Sequence, residues 1–488
     1  MKPHIVGVLA GGLALCLATA APAFKRGDTR ALDVAAGVLG VNGTAPLDSL
    51  EFEASGQYYQ FGQAPAPELP WPEFKVDGYV ATLDFARAAV HAKYHRVQVQ
   101  EPGRARPQSE QTMDQYARHG VSWNLAPGPV AMPTNLAERN AELWASPQGF
   151  VKAALANHPQ IKLLEDGSMR VAFALGKYRY AGEFNRAHEL TLVSTFMDSP
   201  VLGDTPIEFR YSGYRDFGGL RFPVLIERRV AGLPWYRLTV SDVRVNTAQP
   251  FEVPAEIAAN PAPPVARIEV SELAPGVLLF GGGTHNTVVV EQDKGLLVIE
   301  APLGEERSQA ILAEIVARFG TKKILGVVNT HTHFDHAGGL RAFVAAGIPV
   351  ITQQRNASWF EAAWQHPHTL HPDRLAQSPR HARFRTFTDK LLLDDVQRPV
   401  ELYALVGSGH NDAFAMAYLP KQQLLVEADA WTPTPPGAKP AAVVNPLWIN
   451  LYENLQRLGL EVRTIAPLHG APQTIDALRD AIQQREQH

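Results

Sequence analysis

The residues best placed to do chemistry stand in one run, THTHFDHAGG, which carries His331, His333, Asp335 and His336 directly after an apolar, β-branched segment at 324–329. In an extended chain alternate side chains share a side, so His331 and His333 project together. A turn at Phe334 lets Asp335 and His336 address a neighbouring point. Two imidazoles thus face one cation, while a carboxylate and an imidazole face a second. Zinc takes nitrogen and oxygen ligands at roughly 2.0–2.2 Å and keeps a position open where it is catalytic. Further ligands must therefore come from elsewhere in the chain.

The elements that would position them alternate between strand and helix, which predicts a layered α/β domain over 263–488. Short strands are expected at 277–280, 287–291 and 295–300, then an amphipathic helix over 305–319, the buried strand at 324–329, and a helix starting near Gly338. Three more ligand-type residues follow, each after a strand-like segment: His410 in VGSGHND, Asp429 at the end of LLVEAD, and His469 in IAPLHG. Any one of these histidines alone is better explained as a satisfied structural residue. The ordered set is not.

This set resembles the metallo-β-lactamase superfamily, whose first ligand motif is HxHxDH and whose other three ligands follow singly at strand ends. The resemblance covers 267–488 and implies an αβ/βα sandwich, so that the whole chain is an α+β two-domain protein. It implies a first zinc on His331, His333 and His410, a second on Asp335, His336 and His469, and Asp429 bridging both, with iron or manganese as other occupants. The implied reaction is hydrolysis, in which hydroxide hydrogen-bonded to Asp335 attacks a carbonyl. Asp429 stands where β-lactamases of this fold carry Cys or Ser, which matches the thioesterase-like and lactonase-like branches, as in glyoxalase II. The substrate implied is a small ester, thioester or lactone. Thr432 occupies a position where acyl-homoserine lactonases place tyrosine, which weighs against lactones. The alternatives are a β-lactamase, a di-iron oxidoreductase and a non-catalytic metal-binding protein.

Several residues extend this reading. Glu300, in LLVIEAPLG, departs from the family's aspartate; it either orients a metal ligand or favours the start of the helix at 305 by its charge. His285, in GGGTHN, lies where the family carries a mobile flap and is a candidate catalytic contact to substrate or else a turn cap. The insertion between Trp359 and Arg385 holds His366, His368, His371 and His381 with four arginines, irregularly spaced among prolines, and reads as a solvated lid. Trp431, Trp448 and Tyr452 are close enough to Asp429 to line a cleft.

Composition bounds the rest. A chain of 488 residues exceeds one ordinary core. Lys and Arg total 45 against 49 Asp and Glu, a formal net charge of -4, which gives no general pull toward nucleic acid. Lys2, the apolar run at 5–18 and the small-residue patterns ending at Ala20 and Ala23 read as a cleavable export signal over 1–23. The expected location is periplasmic or secreted, with no stable membrane insertion after cleavage. Cys16, the single cysteine, falls inside that segment, so the mature protein would build any metal site from His and carboxylates.

From 24 to 262 the sequence is punctuated by Gly, Pro and Asn and reads as a mainly β domain made of a curved antiparallel sheet. Strands are expected at 50–61, 79–85, 92–98, 169–175, 188–195, 207–214, 223–230 and 236–245, and helices at 136–144 and 150–158. ANPAPPVAR, at 259–267, reads as a linker. The segments at 56–74 and 198–229 are similar to the leading domain of a group of exported metallo-β-lactamase-like proteins. The hairpins also resemble the half-open β-barrels of periplasmic lipoprotein carriers, which implies a concave apolar face that binds an apolar ligand or packs on the neighbouring domain.

Overall fold

A computed structural model describes residues 29–43, 45–247, 249–260, 266–435, 437 and 443–483. The expected export signal lies outside the described residues, as does most of the linker at 259–267.

Between 49 and 245 the chain builds one thirteen-stranded antiparallel sheet. Successive strands step outward from Ser49–Tyr59 to an edge at Pro129–Ala131, then return from the opposite edge at Gln160–Leu163 until Leu233–Val245 pairs with Ser49–Tyr59. The crossing between edges is made by the helices Leu136–Ala145 and Pro147–Ala156. Ser146 separates them: its side chain accepts from the backbone N–H of Gly149, and Pro147 supplies a preset first turn. Burial alternates along the first half of Gly203–Phe217, as it must when one sheet face is packed and the other wet.

The packed face corrects the barrel expectation. It is filled by the chain's own helices, through Leu32, Ala35, Leu143, Phe150 and Val151, against Phe52, Tyr79, Phe184 and Phe209. Arg228, 1% exposed, sits at its centre with its guanidinium 4.0 Å from the Trp235 ring and paired to Glu142. Such a face is neither hollow nor uniformly apolar. The two expected helices form within a few residues of their predicted spans, whereas the helix Arg30–Val38 and the strands Glu110–Arg118, Val121–Leu125, Pro129–Ala131, Gln160–Leu163 and Tyr178–Phe184 were not anticipated. Glu110–Arg118 shows why: EQTMDQYAR is polar almost throughout and only its Ala117 is buried, so no apolar alternation marks it.

The second half is an αβ/βα sandwich. One sheet has seven strands, antiparallel from Glu269–Ala274 to Gly295–Ile299 and parallel through Ile324–Val328, Val350–Gln353 and Phe384–Phe387. The other has six, including Val400–Ala404, Ala415–Leu419, Leu424–Glu427 and Thr464–Pro467. Val290, Leu297 and Ile299 of the first meet Leu402, Met416, Val426 and Ile465 of the second in one core. The outer face of the first sheet packs Val289, Val298 and Val327 on Ile311, Ile315, Leu340 and Phe343 of helices Glu305–Phe319 and Leu340–Ala345. Gly295–Ile299 is buried at every position, the mark of a strand covered on both faces.

Val201 and Leu202, from a turn of the thirteen-stranded sheet, join that outer core. The insertion at 359–385 docks at the same place, which corrects the lid expectation. Asp204 accepts from the backbone N–H groups of Thr369 and Leu370, His371 lies 3.4 Å from Asp198, and Asp373 pairs with Arg341. Among the described residues, no hydrogen bond or ion pair of this insertion reaches a predicted metal ligand. It fastens the two halves together.

Candidate metal centre

The predicted ligands gather on one rim of the sandwich, most of them in the loops that follow strands. His331 and His333 follow Ile324–Val328, and Asp335 and His336 fall in a separate four-residue helix, Phe334–Ala337, ahead of Leu340–Ala345. The helix expected from near Gly338 runs over Leu340–Ala345, and the expected turn at Phe334 is a short helix parted from it by Gly338 and Gly339. A Cβ on Gly338 would lie 1.9 Å from the Leu303 carbonyl oxygen, so only glycine lets the motif close on the 300–304 loop. That approach allows the Leu303 N–H to donate to the Asp335 carbonyl at 2.8 Å.

The structure brings His331, His333, His410 and Asp429 into one group and His285, Asp335, His336 and His469 into another, the ligand atoms within each lying no more than 4.8 Å apart. Asp429 stands between the groups. Its Oδ2 is 3.0 Å from the Nε2 atoms of His410 and His336 and 3.2 Å from that of His331, and its Oδ1 is 3.0 Å from Nε2 of His469. The two sets also touch within themselves, His331 to His410 at 3.2 Å and His336 to His469 at 3.0 Å, both between Nε2 atoms.

The ring nitrogens turned away from the centre are held by hydrogen bonds. His336 Nδ1 donates to Glu300 at 3.2 Å, and His469 Nδ1 donates to the Thr284 carbonyl at 3.2 Å. His331 Nδ1 lies 3.0 Å from the Thr330 hydroxyl, which itself donates to the same Oε2 of Glu300. One fully buried carboxylate therefore orients a ligand in each group, and the family's aspartate is replaced by a longer acid doing the orienting. Glu300 adopts φ +77°, a backbone strain that the surrounding fold sustains at this position. His333 is turned the other way: its Nε2 donates to the Ala64 carbonyl at 3.0 Å, and its buried Nδ1 has no hydrogen-bond partner among the described residues.

These observations fit metal ions. A buried imidazole nitrogen with no partner, four outward nitrogens already committed and a carboxylate set between two donor groups make a donor set that could hold metal ions. Protonation follows the same logic. Burial, then the neighbouring His336, pushes His331 down to about 4, and burial drives His333 well below the ordinary histidine range, so both rings are neutral and ready to ligate. Burial opposes charge on His336 as well, but Asp429 and Glu300 outweigh it and hold that ring well above the ordinary range. Asp429 and Asp335 are held well below the usual carboxylate range against their own burial, Asp429 chiefly by His336 and His410 and Asp335 by His285 and His336.

His285 lies against Asp335 rather than toward open solvent. Its Nε2 donates to Asp335 Oδ2 at 3.2 Å, its Nδ1 accepts from the Thr284 hydroxyl at 2.8 Å, and its ring centroid is 4.1 Å from that of His469. The aromatic trio does not line a cleft together: Trp431 is a core residue, 3% exposed, and Trp448 and Tyr452 pack from helix Pro446–Leu458 onto the same core. The turn that presents Asp429 is shaped by Glu427, whose carboxylate accepts from the N–H groups of Ala430 and Trp431.

Sequence reasoning missed Gln63, the Ala64 carbonyl, Thr284, Asn329 and Thr330. The last two flank the motif and stand beside Glu300, with Asn329 donating to it at 3.2 Å. Their closeness in sequence to His331 was the available signal.

Residues 280–467 match the model of the metallo-beta-lactamase superfamily. A stretch of 141 residues, 29% of this chain, is 28% identical to the metallo-beta-lactamase type 2 of Elizabethkingia meningoseptica and spans 50% of that relative's length. The fold is similar to a metallo-beta-lactamase from Pontibacter korlensis, at 19% identity and TM-score 0.35, over 46% of this chain and 100% of that one. It is also similar to the rubredoxin oxygen:oxidoreductase of Desulfovibrio gigas, at 16% identity and TM-score 0.36, over 45% and 62% of the respective chains. The C-terminal sandwich is thus similar, over 280–467, to the metallo-β-lactamase superfamily, and it brings together His and Asp groups that could hold metal ions.

Proposed function

We propose that this protein is an exported, dinuclear zinc hydrolase acting on the carbonyl of a small ester, thioester or lactone. The observation that carries the reading is Asp429, whose two oxygens face imidazoles of both donor groups. His331, His333 and His410 would hold one ion, Asp335, His336 and His469 the other, and Asp429 both. Zinc held there would supply Lewis-acid polarisation of a carbonyl and a water with its pKa lowered to about 7, so no protein nucleophile would be required.

The chain's own residues supply orientation and proton handling. Asp335 is the most open of the ligand carboxylates, its side chain 35% exposed against 17% for Asp429, and it stays ionised at neutral pH. It is the group placed to accept a hydrogen bond from the attacking water. His285 donates to the other face of that carboxylate and fixes its direction. Burial lowers His285, so it serves as a neutral donor.

The name of the curated relative favours a second reading, β-lactam hydrolysis. Asp429 favours the first reading over the second, because it stands where β-lactamases of this fold carry Cys or Ser. The test is metal analysis of the purified full chain followed by a panel of aryl esters, acyl thioesters, lactones and a chromogenic cephalosporin. Two zinc ions with acyl-ester or thioester turnover agree with the proposal. Two iron ions would turn the reading to an oxidoreductase, and a cephalosporin preferred by tenfold or more in kcat/KM would turn it to a β-lactamase.

A further inference from the structure

The metal centre is not confined to the sandwich. The segment 61–65, from the loop after the first strand of the thirteen-stranded sheet, runs alongside the ligand motif and is fixed to it at consecutive residues. The Gly62 carbonyl accepts from the Phe334 N–H at 3.1 Å, and the Pro65 carbonyl accepts from the Asp412 N–H at 2.8 Å. Phe61 meets Phe334 edge-on at 5.0 Å and is itself stacked on Trp235. Gly62, at φ +76°, has no room for a side chain, since a Cβ there would lie 2.7 Å from the Phe334 ring.

Two contacts in this segment fall on ligands. Gln63 Nε2 donates to Asp335 Oδ1 at 2.8 Å. The Ala64 carbonyl accepts from His333 Nε2 at 3.0 Å, and Asn411, next to His410, donates to the same oxygen at 3.0 Å. A histidine whose Nε2 carries the proton and is held by a carbonyl can offer only Nδ1 to a metal. His333 differs in this from His331, His336 and His469, which turn Nε2 inward. Gln63 and His285 between them grip both oxygens of Asp335, leaving each one further lone pair for an ion or a water.

The geometry points to the N-terminal domain as a structural part of the metal centre, with Gln63 a positioning residue for Asp335 and the Ala64 carbonyl holding the outward nitrogen of His333. The inference rests on the proposed two-ion reading and extends it: the leading domain completes the site rather than merely neighbouring it.

The test uses the full chain, with Gln63→Ala, Gln63→Glu and a control, Glu68→Ala, which breaks the more exposed Glu68–Arg355 pair of the same interface. Zinc stoichiometry and affinity are read by competition with a chromogenic chelator, and ligand geometry from the visible spectrum of the cobalt-loaded protein. Gln63→Ala is expected to weaken one of the two zinc ions by about 10- to 100-fold, the usual effect of removing a partner that orients a ligand. Gln63→Glu keeps the shape and removes the donor, so a positioning role predicts the same weakening and an altered cobalt spectrum, whereas a packing role predicts wild-type behaviour. Glu68→Ala should bind both ions as wild type does. Wild-type affinity for both ions in Gln63→Ala, or recovery of it in Gln63→Glu, overturns the positioning role while leaving the two-ion reading in place. A wild-type chain that binds fewer than two zinc ions overturns the two-ion reading before any variant is made.

Discussion

The two halves of the molecule solve different problems with sheets. In the sandwich, strands such as Gly295–Ile299 are buried on both faces, and the ligand-type side chains are pushed to the strand ends, where the seven predicted ligands converge with His285 and Glu300. In the leading domain a single sheet is covered on one face by three helices, and the described residues there form no metal-holding cluster. Yet its loop at 61–65 supplies hydrogen-bond partners to two ligands. On the proposed two-ion reading, the direct ligands come from one domain and part of their orientation from the other.

The largest effect that would sharpen this division is loss of a direct ligand. His410→Ala should lose one metal ion and essentially all hydrolytic activity, because a terminal imidazole is one of few protein ligands to its ion. Asp429→Ala should loosen both ions without emptying either, since each retains its own set. Metal analysis after dialysis reads the difference, and wild-type metal content in His410→Ala would refute the assignment.

Next in size is Glu300, which serves both groups from within the sandwich. Glu300→Gln keeps volume but removes the charge that holds His336 and, through Thr330, His331. Affinity for both ions should fall by about 10- to 100-fold. A loss restricted to one ion would show that the Thr330 relay carries nothing.

What could be read in the sequence follows the same line. The convergence of these side chains was legible because ligand-type residues recur at strand ends, and His331, His333, Asp335 and His336 stand within six residues of one another. The buried strands were legible as continuous apolar runs. The edge strands of the large sheet were not, because Glu110–Arg118 is half exposed and its polarity matches a loop. Gln63 and Ala64 were invisible as site residues for a different reason: a glutamine amide and a backbone carbonyl have no spacing rule, and 272 residues separate Gln63 from Asp335. The histidines of the insertion misled because composition alone cannot tell a lid from a docking segment.

The interface itself should show a moderate effect. Phe61 packs on Trp71, Trp235 and Phe334, so it ties the large sheet to the motif helix. Phe61→Ala should lower stability by about 3 kcal/mol, the low end of the range for removing a buried aromatic ring, since Phe61 is only partly buried. The informative measurement is whether urea unfolding of the variant splits into two transitions. A single transition at the wild-type midpoint would mean that the wedge couples nothing.

The smallest effect concerns pH at the second fastening. His368 is buried between Gly203 and Arg341, and burial, then the Arg341 charge, lowers it to about 4, with His366 acting the same way and Asp373 and Asp204 opposing. The folded state therefore refuses a proton that the unfolded chain accepts near the ordinary value of 6.5. Because the unfolded chain binds more protons between these values, stability contributed by His368 is constant above about pH 6.5 and declines as pH falls toward about 4. His368→Gln cannot titrate, so its stability should fall less steeply with acid across that window, even if loss of packing leaves it somewhat less stable at pH 7. Urea midpoints of the two proteins between pH 7 and 4.5 make the comparison, and parallel curves would show that His368 takes up its proton as readily folded as unfolded.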